Sequence, residues 1–297
     1  MVTKFSLTAA ALAIATTFGM STAANAGPTD VLVQDGAGNV IATGVHTFDE
    51  NEAGSSLALG FTPVVGSTFS FLYQSNVGAF NDAGGQAITP LAGLNTSFAS
   101  GGYEFTVVAR ITETVTGVTS GAGVTTVTFS ATGGTASIFF DSTASGGVQA
   151  VTSTGAGFDD GHLVGQFDVV AGTGLSTFTT FASGAGLGAT QYNFVISAGS
   201  AVDADYISSL LGGPIGDMRF TSSQVIPPGT STTTGFHLGT PSNAPDIYAT
   251  TPTDGNLLLK VDGSNTFTTA VPEPETYALM LAGLGAIGFM TRRRRKS

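Results

Sequence analysis

Apolar and polar residues alternate with a period of two along the stretch from Tyr103 to Glu113. The apolar side consists of Tyr103, Phe105, Val107, Ala109 and Ile111. The polar side consists of Glu104, Thr106, Arg110 and Thr112, with Val108 as the one exception. Successive side chains of a β-strand point to opposite faces, so this pattern predicts a strand with one face in a hydrophobic core.

The composition favours the same structure elsewhere in the chain. Glycine contributes 42 of the 297 residues, and charged residues only 10%. Such a mixture is typical of strands joined by glycine-rich turns rather than of amphipathic helices. The segment Asp35–Asn39, between Val31–Val33 and Val40–Ala42, predicts a hairpin, and Gly117–Gly123 predicts a second turn.

Further strands are expected where large apolar residues recur. They are Ser67–Tyr73, Val127–Ala131, Ile138–Phe140, Leu163–Val169, Leu175–Phe181, Tyr192–Ile196 and Met218–Ile226. Leu257–Val261 and Thr266–Thr268 predict a last hairpin that turns at Asp262–Ser264. The proline-punctuated segment Thr230–Pro252 is expected to be a long surface loop.

One short helix is expected after these strands. Asp203 has the side chain of a helix N-cap, and Tyr206 with Leu210 forms an i,i+4 pair. Gly212 would end the helix. The predicted fold class is therefore all-β, with a β-sandwich or jelly-roll-like body and one short helix.

The N-terminal residues 1–26 have the parts of a secretory signal peptide. Lys4 precedes a short apolar region from Leu7 to Phe18. Ala24-Asn25-Ala26 is a small-x-small cleavage site before Gly27. We expect a signal helix, export through the Sec machinery and a body over residues 27–270.

The C-terminal residues 271–297 form a second targeting segment. Pro272, Glu273 and Pro274 precede the uncharged stretch Tyr277–Met290, and a basic cluster ends it, formed by Arg292, Arg293, Arg294, Arg295 and Lys296. Helix begins only after Pro274, and the basic cluster places the C-terminus in the cytoplasm. The stretch predicts a transmembrane helix, although it is shorter than the roughly 20 residues of a full span. An ordinary membrane anchor is one reading.

A more specific interpretation of the C-terminal segment rests on its resemblance to a known sorting signal. Pro272-Glu273-Pro274, a short apolar helix and terminal arginines resemble the PEP-CTERM sorting signal. That resemblance implies recognition by exosortase in a Gram-negative bacterium, with cleavage near the motif. The precursor would then sit in the inner membrane through its C-terminal helix, and the mature form would be at the cell surface or in the extracellular matrix.

The charge of the body excludes some partners. Between the two targeting segments, three basic residues face eighteen acidic ones, or a net charge of about −15. Nucleic-acid binding needs clustered Lys and Arg, so we expect no nucleic-acid partner, and membrane contact only through the uncleaved tail. The chain has no cysteine, so no disulfide supports the fold.

No catalytic constellation is evident. His46, His162 and His237 show no local pairing that favours a transition-metal site. The densest polar cluster, Asp159-Asp160-Gly161-His162, is either a turn or a set of oxygen ligands for Ca²⁺. A Gly-x-Ser-x-Gly elbow and a phosphate-binding loop are both absent from the sequence, and so is tryptophan. We therefore expect no catalytic residue and no cofactor.

The body has a resemblance of its own. Val107–Val115, Ile138–Asp141, Gly157–Gly165, Gly235–Ser242 and Leu257–Phe267 are similar to the flocculation-associated PEP-CTERM protein family. That resemblance implies a non-enzymatic matrix protein that promotes floc or biofilm formation with exopolysaccharide. The alternative is an extracellular calcium-dependent carbohydrate-binding module or hydrolase, based on Asp159, Asp160 and the many unplaced carboxylates.

Overall fold

A computed structural model describes residues 28–50, 54–226, 233–236, 247–250 and 256–269. These residues contain seventeen β-strands, one 3-10 helix at Phe98–Ser100 and no α-helix. The strands are β1 Val31–Gln34, β2 Val40–Val45, β3 Thr47–Asp49, β4 Gly54–Leu59, β5 Thr68–Asn76, β6 Ala79–Asn81, β7 Ala87–Ile88, β8 Tyr103–Gly121, β9 Val124–Ser142, β10 His162–Val169, β11 Leu175–Phe181, β12 Gly186–Ile196, β13 Ile207–Ser209, β14 Ile215–Val225, β15 Thr233–Phe236, β16 Ile247–Thr250 and β17 Leu257–Thr269. The all-β prediction is confirmed.

The antiparallel pairings of the main sheet, followed from strand to strand, lead back to the strand from which they start. Strand β9 pairs with β8, and the path continues through β5, β4, β17, β14 and β12. Both β10 and β11 then join β12 to β9, at successive positions along its length. Strand β9 therefore has two halves, one beside β11 and one beside β10.

The inward faces of these strands share one aromatic core, which makes the body sandwich-like. Rings meet across the interior from strands that are not paired, as in Phe69 with Phe129 at 5.4 Å and Tyr73 with Phe220 at 5.0 Å. Each large side chain that is fully buried contributes roughly 1.5–3 kcal/mol. A cysteine-free chain can therefore obtain its stability from this core.

The strand predicted at Tyr103 is confirmed in detail. Its five apolar positions are buried, whereas Val108 lies on the outward face. The turn that follows contains Ala122 and Gly123, both with positive φ, between the paired residues Gly121 and Val124. Two such residues form the type I′ turn whose twist suits a hairpin.

Two smaller units cover parts of the main sheet. Strands β13, β1 and β2 form a three-stranded sheet, and its Val31, Val33 and Ile207 belong to the main core. Strand β15 places Phe236 over Leu57, Leu72 and Leu258 on an outward face, as a second small core. The described residues from Pro28 to Thr269 form one compact unit.

The predicted helix after Asp203 is wrong. The segment is a turn that leads into β13, where Ile207 pairs with Val33 of β1. Asp203 does act as a cap, but its Oδ1 accepts from the N–H of Asp205 within the turn, at 3.0 Å. Pairing with β1 buries Ile207, and this tertiary contact overrides the helical spacing of the segment.

Two predictions about connections were also wrong. Leu257–Thr269 is one strand without a turn, because Gly263 faces inward where Tyr73 and Glu50 leave no room for a Cβ atom. Glycine inside a strand marks such a close approach. Within the predicted loop Thr230–Pro252, the described residues form the paired strands β15 and β16.

Candidate functional site

A cleft of about 430 Å³ lies on the outward face of β8, β9 and β10. The strand register aligns its floor in rows, with Val108 opposite Ser137 and Ser137 opposite Gln166. In the adjacent row, Arg110 lies opposite Thr135. Outward side chains at alternate positions of neighbouring strands thus bring a guanidinium, hydroxyl groups and an amide together.

The segment between β9 and β10 forms one wall of this cleft through Asp159, Asp160 and Gly161. The Thr106 hydroxyl donates to the carbonyl of Phe158 at 2.7 Å and so holds the segment on β8. Arg110 lies 3.5 Å from the buried carboxylate of Asp159. Gly161 is required for the close approach, because a Cβ atom there would lie 2.5 Å from the Phe140 carbonyl oxygen.

Three carboxylates hold the same segment. Glu104 accepts the N–H of Ala150 at 2.7 Å and Asp160 accepts that of Val148 at 3.1 Å, while Asp141 accepts the hydroxyl of Ser145. Burial raises the pKa of Glu104 to about 7, and it also raises the pKa of Asp141. These carboxylates therefore have a structural use in ordering the wall.

The predicted cluster at Asp159 is divided by the structure. Asp159 and Asp160 line the cleft, whereas His162 Nε2 lies 3.0 Å from Asp203 and its ring stacks on Tyr206. His46 lies 3.0 Å from Asp30, and His237 is outside the described residues. In the part of the chain that the structure describes, no three His, Asp or Glu side chains are grouped to hold a metal ion.

A second feature of the outward surface is an uncharged face on β9, β11 and β12. It has two cross-strand rows, Thr126–Thr179–Leu187 and Thr128–Thr177–Ala189, which we call the threonine face. The hydroxyl oxygens of Thr126 and Thr179 are 3.0 Å apart. Strands β11 and β12 contain no charged residue, and β9 contains none before Asp141.

A polar groove, also of about 430 Å³, crosses β14, β17, β3 and β6. Asp49 and Asp262 lie along it among hydroxyl groups, and Asn81 donates to Asp49 at 3.0 Å. The two carboxylates distinguish this groove from the threonine face, whose rows contain no ionisable group.

Two carboxylic acids lie in the interior at positions that were not among the predicted site residues. Glu50 accepts hydrogen bonds from Tyr73 and Asn265, and Glu113 accepts one from Tyr192. Burial raises the pKa of Glu50 and of Glu113 to about 8 in each case, so both are largely neutral at pH 7. The alternation gave a signal for Glu113, which stands two residues after Ile111 on the inward side.

The predicted targeting residues lie outside the described part of the chain. They are Ala24, Ala26, Gly27, Pro272, Glu273, Pro274, Arg292, Arg293, Arg294 and Arg295. The predicted signal and transmembrane helices lie outside it as well. Within the described residues, no helix has the length and apolar character needed to cross a membrane.

The described residues form a sandwich-like β-body with a surface cleft and an uncharged face. The family model of the PEP-CTERM protein-sorting motif matches residues 270–295, which include the Pro-Glu-Pro triplet and the four arginines. The chain thus carries the PEP-CTERM sorting signal, which marks an exported, exosortase-sorted extracellular protein. No curated protein and no solved structure matches the chain.

Proposed function

We propose that this protein is a non-enzymatic component of the cell surface or extracellular matrix that promotes cell aggregation by contact with exopolysaccharide. The sorting signal delivers it outside the cell. The observation that carries the remainder of the proposal is the threonine face, an uncharged surface on a strongly acidic body.

The physical argument concerns which polymer this surface can approach. A net charge of about −15 repels polyanions, whereas a neutral polysaccharide experiences no such repulsion. The threonine face offers hydroxyl groups as donors and acceptors, together with threonine methyls and Leu187, which is 52% exposed. Polysaccharides have the same combination of hydroxyls and C–H surfaces, so a neutral, hydroxyl-rich chain is the occupant that fits.

Gene deletion tests the role in aggregation. We expect cells that lack the protein to settle more slowly and to disperse, because one contact between surface and matrix is lost. Unchanged settling and unchanged matrix retention in the deletion strain would contradict the proposal.

A charged substitution on the face tests the surface itself. Thr179→Asp should release the protein from isolated matrix, since it places a charge among neutral groups. Thr173→Asp is the matched control, because Thr173 is exposed in the turn before β11. Equal retention of both variants would remove the threonine face from the proposal.

We also propose the route by which the protein reaches the surface. The apolar stretch Tyr277–Met290 holds the precursor in the inner membrane while Pro272-Glu273-Pro274 is presented for cleavage. With Arg292 to Arg295 replaced by neutral residues, we expect unprocessed protein, detected by mass spectrometry of the C-terminus. Normal processing of that variant would show that the arginines are dispensable.

The cleft favours a second candidate, an extracellular carbohydrate-binding module or hydrolase. Arg110, Ser137 and Gln166 can hydrogen-bond sugar hydroxyls, and the half-buried ring of Phe139 can support a sugar face. Calorimetry with an oligosaccharide panel, with and without Ca²⁺, separates the candidates. Loss of the binding heat in Gln166→Ala would favour the cleft as the sugar-binding site. Binding heat that requires Ca²⁺ would favour a calcium-dependent module.

A further inference from the structure

The polar groove and the threonine face belong to one continuous outward surface. The second row of the threonine face ends at Ala189 on β12. Ala189 is paired with Ser223 of β14, and Ser223 is paired with Asp262 of β17. Both Ser223 and Asp262 are exposed and line the groove. The row therefore runs from β9 to β17 and ends in the groove, after about 19 Å at roughly 4.8 Å between neighbouring strands.

The groove contains two carboxylates on neighbouring strands. Asp49 is paired with Ser264, so it lies diagonally across β3 and β17 from Asp262. The backbones of such diagonal neighbours are roughly 7–8 Å apart, so a small group between them can contact both carboxylates. The hydroxyl oxygens of Thr221 and Ser264, 2.9 Å apart, lie in the same groove. Its volume of about 430 Å³ is within the range of ligand pockets, roughly 300–1,000 Å³.

Charge selects the group that this groove can hold. None of the described residues that line it is basic. Two basic residues flank it on the same surface: Arg219 donates to Gln191 at 2.6 Å, on the side of β12, and Lys260 lies opposite Val225 at the end of the other row. An anion is repelled by the two carboxylates and by the net charge of about −15, whereas a cation is attracted.

The cation that matches these acceptors is a primary ammonium group. An ammonium has three N–H donors, and the groove offers carboxylate and hydroxyl oxygens on several sides. Ca²⁺ takes about six to eight oxygen ligands. In the described part of the chain, no three His, Asp or Glu side chains are grouped to hold a metal ion.

We propose that the groove binds the ammonium group of an amino sugar, within a polysaccharide whose uncharged residues lie along the threonine face. This inference rests on the proposed function and specifies the polymer, which is mostly neutral and carries free amino groups at intervals. One sugar chain can contact both parts, because the row of hydroxyls and small side chains leads from the threonine face into the groove. Asp49 and Asp262 would make charge-assisted hydrogen bonds to the ammonium.

Calorimetry on the protein purified from its native host tests the role of charge. The probes are a glucosamine hexamer and an N-acetylglucosamine hexamer, which differ in whether the nitrogen is charged at mildly acidic pH. We expect the glucosamine hexamer to bind on the order of tenfold more tightly at low salt, since each exposed ion pair contributes up to roughly fivefold. Added salt should reduce the difference by screening. A lysine hexamer shows whether any cationic chain binds equally well.

Matched variants assign the difference to the groove. Asp262→Asn should reduce the preference for the glucosamine hexamer by up to about fivefold and leave binding of the acetylated hexamer unchanged. Asp205→Asn is the control, because it removes an exposed carboxylate from the turn before β13 and changes the net charge equally. The same loss in both variants would mean that net charge, and not the groove, causes the preference, and would overturn the inference.

Two further results would also overturn the inference. They are equal affinity for the two sugar hexamers, and a lysine hexamer that binds as tightly as the glucosamine hexamer. Equal affinity for the sugars would leave the proposed function in place, because contact with the threonine face needs no charge. The proposed function fails separately, if Thr179→Asp and Thr173→Asp are equally retained on isolated matrix.

Discussion

The inward and outward faces of the same strands differ in how the hydrogen-bonding groups of their polar side chains are satisfied. On β8, Glu113 points inward and is fully buried, while its neighbours Thr112 and Thr114 point outward. In the interior, Glu50, Glu113 and Gln224 hydrogen-bond to other side chains. The outward faces hold many polar groups that water can also satisfy. A substitution should therefore be costly on one face and mild on the other, which paired variants can measure.

The largest expected effect is a loss of stability as pH rises. Glu50 and Glu113 each have a pKa of about 8 in the folded protein, against 4.5 for an ordinary glutamate. Between these two values the folded state holds two protons that the unfolded chain releases, so the contribution of the two glutamates to stability is complete below about pH 4.5 and is lost as pH rises to about 8. At about 1.4 kcal/mol per pH unit, the loss is on the order of 5 kcal/mol for each glutamate.

Denaturant midpoints measured from pH 4.5 to pH 9 test this dependence. The double variant Glu50→Gln, Glu113→Gln should have a shallower slope, because its amides remain neutral throughout and only groups such as Glu104 still lose a proton in this range. Asp168→Asn is an outward control that should leave the slope in place. The same slope in the double variant and in wild type would mean that other groups cause the pH dependence.

A smaller effect is expected where inward and outward glycines are compared. A Cβ atom at Gly263 would lie 2.5 Å from the Tyr73 hydroxyl oxygen and 2.8 Å from Glu50 Oε2, whereas one at Gly133 would meet no atom within 4 Å. We expect Gly263→Ala to lower the free energy of unfolding by roughly 2–3 kcal/mol through overpacking. Gly133→Ala should change the free energy of unfolding little. Equal losses from the two variants would show that the cost of adding a Cβ atom does not depend on the face.

A phenylalanine pair gives the next effect. Phe220 is 4% exposed, with its ring 5.0 Å from that of Tyr73 and 6.1 Å from that of Tyr192, whereas Phe181 is 38% exposed. Phe220→Leu should cost about 1–2 kcal/mol from lost packing, since the site can collapse only in part. Phe181→Leu should cost under about 0.5 kcal/mol. Thermal unfolding at one pH compares them, and a reversed order would contradict the assignment of the interior.

The sequence predicted which positions face inward better than it predicted the hydrogen bonds between the inward side chains. Alternation is a local property, so the buried positions from Tyr103 to Ile111 could be read directly. The hydrogen bond from Tyr73 to Glu50, and that from Tyr192 to Glu113, join residues 23 and 79 positions apart, and only the strand register brings them together. The turn predicted at Gly263 is wrong for the same reason, because the groups that fill its Cβ space come from β5 and from the segment after β3.

The candidate site was predictable only in part. Asp159 and Asp160 stood out as a dense polar pair, but Arg110, Ser137 and Gln166 come from three strands, and no spacing links them. The threonines of β9 and β11 can be read from the sequence, whereas the two rows of the threonine face depend on the pairing of β9, β11 and β12. The sorting signal is contiguous, and the family match covers the segment in which it was read.

The smallest effect on stability is expected on the threonine face, where it separates structure from function. Thr126→Val with Thr179→Val removes the contact between two hydroxyl oxygens 3.0 Å apart on the outward surface. Because water satisfies these groups in the unfolded chain and valine suits a strand, we expect a change within about 0.5 kcal/mol. Retention on isolated matrix should nevertheless fall, since the hydroxyls that would bind polysaccharide are gone. A loss above about 1 kcal/mol with full retention would instead mean that the threonine rows serve the fold, and that the contact with the matrix lies elsewhere on the body.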